Sequence, residues 1–157
     1  MNAEVQRLRA QIRDDRVALD RQFDLLTALA PRAGDPGVEA RTALALHHAY
    51  AAVEAILERC TLALEGSKPG GPDCHRALLE VATLTIPGVR EPLLGRDTVR
   101  RLHDLRSFRH FLHHGYGAEL DPVRLEAVRA GALAVRSQLA VDLDSLDGRL
   151  AEIAALD

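Results

Sequence analysis

The fold class is decided by the stretch DTVRRLHDLRSFRHFLHHGYG, which runs from Asp97 to Gly117. Its apolar residues recur at steps of three and four, which is the spacing of one face of an α-helix. Gly115 follows, and glycine commonly ends a helix because it adopts left-handed backbone angles without strain. The stretch therefore predicts an amphipathic helix that opens at Asp97 or Thr98 and packs on other helices. Its apolar stripe is formed by Val99, Leu102, Leu105, Phe108 and Leu112.

The same helical spacing continues towards the end of the chain. Asp121 followed by Pro122 predicts the start of a last helix, because aspartate is a favoured N-cap and proline a favoured first helical residue. Apolar residues keep the helical period from Leu125 to Ile153. We therefore expect one long helix to occupy the C-terminal part of the chain.

Two further helices lie upstream, separated by glycine- and proline-rich segments. The first is expected from about Val38 to Leu64 and the second, which is shorter, from Cys74 to Leu84. The segment between them, GSKPGGPD, ends at Asp73. The carboxylate of Asp73 is expected to cap the shorter helix by accepting hydrogen bonds from its first N–H groups.

A long amphipathic helix is predicted at the N-terminus, ending near Ala30 before the breaker PRAGDPG. We expect residues 1–30 to form this helix and residues 38–157 to form a helical bundle. Its arginines alternate with acidic residues, which indicates a solvated face rather than a nucleic-acid contact. The arginines concerned are Arg7, Arg9, Arg13 and Arg16, and the acidic residues are Asp14 and Asp15.

Composition agrees with an all-α protein, because 47% of the residues are hydrophobic, only 3% are aromatic and tryptophan is absent. Leucine and alanine, both strong helix formers, must build the core. We predict an up-down bundle of about five helices with a long N-terminal helix. A net charge of −3 excludes a protein that coats nucleic acid by overall charge, so any such contact must be local. The charged N-terminus and the lack of a long apolar run predict a cytoplasmic protein with no membrane contact.

Arginine and histidine are concentrated at the end of the helix that begins at Asp97, in the segment RSFRHFLHHGY. Histidine transfers protons near neutral pH, and arginine binds phosphate oxygens with a permanent charge, so no metal or other cofactor is required. These two residue types together suit RNA cleavage by attack of the 2′-hydroxyl. The segment contains Arg106, Arg109, His110, His113, His114 and Tyr116, and His75 is a candidate fifth histidine alongside His103, His110, His113 and His114.

The segment resembles the motif of HepT-like ribonuclease toxins of the HEPN superfamily, Arg-Asn-x-x-x-His-x-Tyr. Arg109, His114 and Tyr116 match it, whereas His110 stands where asparagine is usual. Arg106 and His113 satisfy a looser Arg-to-His spacing, but only the first register places the tyrosine correctly. The resemblance extends over roughly residues 38–132 and includes ALHHAYAAVE, from Ala45 to Glu54.

The resemblance implies a metal-independent endoribonuclease toxin of a toxin-antitoxin system. It implies a homodimer whose two motifs face one cleft, with Arg109 on the phosphate and His114 transferring protons. Arg106, His110 and His113, which their spacing of four and three places on one face of the helix, are expected to support catalysis or RNA binding. It also implies a nucleotidyltransferase antitoxin that adds AMP to Tyr116.

Three alternatives stay open at this point. The histidines could bind zinc, although no cysteine lies nearby and the carboxylates of Asp104 and Glu119 are poorly placed. The chain could be a non-catalytic HEPN-like binding module that partners a nucleotidyltransferase, since a fold does not fix a function. It could also be a plain helical interaction protein. Tyr50 is expected in the core, and Glu54 is a candidate contact of an arginine on the motif helix.

Overall fold

The computed structural model describes residues 2–29, 34–114 and 120–156, with Asn2, Phe111, His113 and His114 described by their backbone alone. These residues contain five helices and no β-strand, apart from an isolated bridge between Ile86 and Arg90. The prediction of an all-α fold with five helices and a long N-terminal helix is therefore confirmed. The helices are α1 (Asn2–Ala28), α2 (Pro36–Glu65), α3 (Cys74–Ala82), α4 (Arg96–His114) and α5 (Pro122–Ala155).

All five helices contribute to one hydrophobic core. Helix α1 buries Val5, Leu8 and Phe23 in the same cluster as Leu46 of α2 and Leu102 of α4. Helices α1 and α5 lie antiparallel, because residues early in α1 contact residues late in α5 and the reverse holds at the other end. The division of the chain into residues 1–30 and 38–157 stays a prediction, since α1 and the other helices share this core.

Aspartate side chains cap the first turns of α2 and α5. The Asp35 carboxylate accepts hydrogen bonds from the N–H groups of Gly37 and Val38, and the Asp121 carboxylate accepts one from Val123. The capping role predicted for Asp73 is wrong, because its side chain makes no capping hydrogen bond. Its backbone angles, φ −96° and ψ 16°, lie outside the extended region that an N-cap residue normally adopts.

The arginines of α1 form a solvated face only in part: Arg13 is 60% exposed, whereas the side chains of Arg9 and Arg16 are mostly covered, which corrects the prediction for those two. Arg9 donates two hydrogen bonds to the Asp147 carboxylate, at 2.8 and 3.0 Å, and its side chain is only 15% exposed. Arg13 contacts the same carboxylate at 3.5 Å, and Arg16 pairs with Asp144 at 2.7 Å. We call these five residues the α1–α5 seam; it fastens the N-terminal helix to the C-terminal one.

Two contacts position α4 relative to the rest of the bundle. The connection from α3 to α4 is held by buried Arg90, which pairs with Glu65 at 2.7 Å and donates to three backbone carbonyls. The start of α4 is tied to α5 by Asp142, which accepts hydrogen bonds from the backbone N–H of Gly95 and the hydroxyl of Thr98. Among the described residues, no helix is both long and apolar enough to cross a membrane.

Candidate functional site

A cleft of about 660 Å³ opens where the start of α3 faces the middle of α4. Three arginines line it against a single aspartate, so it is locally positive although the whole chain carries a net charge of −3. Such a cleft favours anionic ligands because low-dielectric walls concentrate the field of the charges. Its lining residues are Pro72, Asp73, His75, Arg76, Arg106, Ser107, Arg109 and His110.

Three charged or titratable side chains from three helices meet at the wall of this cleft. Glu54 of α2 places its Oε2 atom 2.7 Å from Nδ1 of His75, which lies in the first turn of α3. The same oxygen lies 3.5 Å from Nη1 of Arg109 on α4. Nη1 of Arg109 in turn lies 3.2 Å from Nδ1 and 3.4 Å from Nε2 of His75. One carboxylate therefore orients both the arginine and the histidine.

Tyr50 packs against the cluster from the core side. Its ring lies under the Arg109 guanidinium, with 5.7 Å between the guanidinium carbon and the ring centroid. Tyr50 is buried in the core, as the sequence predicted. Burial, and then the neighbouring charge of Glu54, raise the pKa of Tyr50 above its usual value, so the phenol stays neutral. The Tyr50 ring therefore supports the Arg109 guanidinium from the core side.

The two motif-helix arginines retain hydrogen-bonding capacity. The Nε atoms of Arg106 and Arg109 are both buried, and neither has a hydrogen-bond partner among the described residues. Each guanidinium has five N–H donors in a planar fork, which matches the oxygens of a phosphate group. The arrangement can therefore bind an anionic oxygen at a point where a histidine ring is also within reach.

The structure brings together part of the predicted site. Arg109, Arg106 and His110 all line the cleft, and Glu54 does contact a motif-helix arginine. His113 and His114 lie in the last turn of α4, where only their backbone is described. Tyr116 lies outside the described residues. The assignment of catalytic roles to Arg109 and His114 stays a prediction.

Arg76 and Ser107 line the cleft without having been predicted from the sequence, and His75 was predicted only as a candidate. His75 and Arg76 lie on α3, at least 30 residues before the motif, and the spacing within one helix cannot show which other helix it will face. The signal that could have found them is their position just after a glycine-rich break, where a short helix begins. Among the residues that the structure describes, no group of three or more His, Cys, Asp or Glu side chains could hold a metal ion.

Fold and site together define a small all-helical domain with an arginine-lined cleft built against its fourth helix. A family model described as "HepT-like protein" matches residues 41–150, which is more than two thirds of the chain. The chain therefore belongs to the HepT-like family, a HEPN-type domain, as the motif indicated. The match covers Glu54, His75 and Arg109 and begins after α1. Comparisons with curated proteins and with solved structures give no match.

Proposed function

We propose that this protein is a metal-independent endoribonuclease toxin of a toxin-antitoxin system, acting on RNA through Arg109 and His114. The observation that carries the proposal is the position of Arg109, held by Glu54 at the wall of a positive cleft within the family-matched region. A preorganised guanidinium stabilises the negative charge that develops on phosphate during cleavage. Membership of the HepT-like family supports the same reaction class.

In this mechanism Arg109 binds a non-bridging oxygen of the scissile phosphate, and Arg106 and Arg76 bind the flanking backbone. His114 supplies a proton to the 5′-oxygen that leaves. Helix α4 ends at His114, and the negative end of a helix dipole favours a positively charged ring there. His110 and His113 contribute to RNA binding along the same helix.

The proposal includes a homodimer in which two copies of the motif face one shared cleft. Mixing inactive Arg109→Ala with inactive His114→Ala protein tests this arrangement, because a mixed dimer contains one intact pair of residues. Partial recovery of cleavage is expected for a composite site, whereas no recovery would show that each chain acts alone.

A nucleotidyltransferase antitoxin that adds AMP to Tyr116 completes the proposed system, and mass spectrometry of Tyr116 after co-expression checks it.

The deciding experiment is growth after tightly controlled induction of the wild type beside His114→Ala, with total RNA analysed from the same cultures. Growth arrest and RNA breakdown in the wild type alone are expected. The purified wild type should also cleave RNA in the presence of a chelator. Healthy growth and intact RNA in both strains would overturn the proposal and favour a non-catalytic module that partners a nucleotidyltransferase.

A further inference from the structure

We infer that His75 is a second catalytic histidine of the cleft, which takes the proton from the attacking 2′-hydroxyl of RNA, and that Glu54 is its positioning residue. The inference rests on the proposed ribonuclease function and adds to it a base from a different helix. His75 lies on α3, outside the Arg-to-His motif of α4, and it lines the same cleft as Arg109.

Glu54 fixes which nitrogen of His75 carries the proton. Its Oε2 atom lies 2.7 Å from Nδ1, and a carboxylate can only accept a hydrogen bond. Nδ1 therefore carries the hydrogen, and in the neutral ring the lone pair is on Nε2. The side chain of Glu54 is only 11% exposed, so it holds the ring from the protein side and little of it is available to a ligand.

Because Glu54 engages Nδ1, Nε2 is the ring nitrogen left for a substrate hydroxyl. The His75 side chain is 42% exposed, far more than its partner. The contact of Arg109 with Nε2 is long and shared, because its Nη1 atom lies at nearly equal distances from the two ring nitrogens, 3.2 and 3.4 Å. A donor in line with the Nε2 lone pair would be much farther from Nδ1 than from Nε2. The nearly equal distances therefore place Nη1 beside the ring and away from the direction of that lone pair.

Attachment of α3 to the bundle does not need this histidine. Leu78, Leu79 and Ala82 bury that helix in the core, and Arg90 holds its C-terminal end through the carbonyl of Val81. A half-exposed imidazole paired with a buried carboxylate is instead the arrangement of a general base and its orienting group.

The proposed step balances in protons and bonds. Nε2 of His75 takes the proton of the 2′-hydroxyl as the 2′-oxygen forms a bond to phosphorus. The bond from phosphorus to the 5′-oxygen breaks, and that oxygen takes a proton from His114. The products are a 2′,3′-cyclic phosphate and a free 5′-hydroxyl. Glu54 stabilises the imidazolium formed on His75, and exchange with water restores both histidines.

The test compares His75→Asn with the wild type in single-turnover cleavage of RNA. The asparagine amide can still donate to Glu54 in place of Nδ1, but nothing replaces Nε2. Cleavage should slow by about 100-fold or more while RNA affinity and thermal stability stay unchanged, since a general base contributes on that scale. His48→Asn, on an exposed histidine of α2 away from the cleft, is the matched control and should cleave like the wild type. Added imidazole should partly restore cleavage by His75→Gly.

The outcomes separate this inference from the proposed function. A wild type that leaves RNA intact overturns both. A wild type that cleaves beside a His75→Asn variant that cleaves equally well overturns the inference alone. The tautomer gives a readout that does not depend on activity: ¹⁵N NMR of the neutral ring should show the proton on Nδ1, with a changed signal in Glu54→Gln. A proton on Nε2 would exclude His75 as the base.

Discussion

The α1–α5 seam and the cleft are both rich in arginine, yet among the described residues only one cleft arginine, Arg109, contacts a carboxylate of another helix, and it shares that carboxylate of Glu54 with His75. In the seam, Arg9 and Arg16 each meet an aspartate supplied by α5. In the cleft, Arg106 has no ion pair with a described residue, and Asp73 is the only acidic residue of the lining. The charge of an arginine is the same in both places, so its role is decided by the carboxylates that the neighbouring helices supply.

The largest expected effect is on stability and concerns the apolar packing of α1 beside the seam. Phe23→Ala should lower the free energy of unfolding by about 3–5 kcal/mol, because Phe23 is fully buried and its loss leaves a cavity between α1 and α5. Denaturant unfolding of the purified protein measures this. If Phe23→Ala lowers the free energy of unfolding no more than the removal of one seam ion pair does, charges and not apolar packing attach α1 to the bundle.

The next effect contrasts an arginine of the cleft with one of the seam. Arg109→Ala should reduce RNA cleavage by about 100-fold or more, since one preorganised donor to a charged transition state contributes on that scale. Arg13→Ala is the matched control, because the Arg13 side chain is 60% exposed and its ion pair is long. Equal activity of the two variants in a fluorescent RNA assay would contradict the division of roles.

A smaller effect is expected in the salt dependence of RNA binding. The logarithm of the RNA-binding constant falls linearly with the logarithm of the salt concentration. If Arg106 binds a phosphate, Arg106→Ala should make this slope less steep by about 0.7, the value for one contact to single-stranded RNA. Arg16→Ala should leave the slope unchanged, because Arg16 is already paired with Asp144. Fluorescence anisotropy titrations at several salt concentrations measure both, and equal slopes would place Arg106 outside the RNA path.

The smallest effect is a pH-dependent loss of stability in the seam. The hydrogen bond from Arg9 holds the pKa of Asp147 below its usual value, against the opposing effect of partial burial. The pair therefore stabilises the protein above the ordinary aspartate pKa of about 3.9, and this contribution is lost as the pH falls through the lowered pKa. Asp147→Asn should lower Tm by about 2 °C at neutral pH.

The same measurement at acid pH checks the sign. The difference in Tm between Asp147→Asn and the wild type should shrink as the pH falls, and RNA cleavage at neutral pH should be unchanged. Asp97→Asn is the control, because the Asp97 side chain is 81% exposed and its contact with Arg100 is local to α4. A Tm difference that grows on acidification would contradict the assigned pKa direction.

Most of the fold could be predicted because its determinants are local. Helical spacing gives the buried face of each helix, and the Asp121–Pro122 pair marks the start of α5 within one residue. The failure at Asp73 has a physical cause: residue type indicates a capping preference, but the cap also needs extended backbone angles, which the preceding Gly71 turn does not provide here. The pairing of Arg9 with Asp147 could not be predicted either, since the two residues are 138 positions apart in the sequence.

Only the part of the site that lies on a single helix, α4, could be predicted from the sequence. Arg106, Arg109 and His110 are close in sequence on α4, and in the structure all three line one cleft. Glu54 and His75 reach that cleft through the packing of α2 and α3 on α4, which no spacing within the motif encodes. Two of the three side chains that meet at the cleft wall therefore come from helices other than α4.

The attachment of α4 by Asp142 has a consequence for the order in which the protein forms. The residues that receive its hydrogen bonds, Gly95 and Thr98, precede it by 47 and 44 positions. During synthesis from the N-terminus, the helix that carries Arg109 is complete long before Asp142 leaves the ribosome. Until α5 has emerged and docked, α4 lacks this anchor and the core contacts made by α5. We therefore expect the cleft to assemble only after α5 has been made and has docked, so that a chain truncated before α5 does not hold its arginines in the same arrangement.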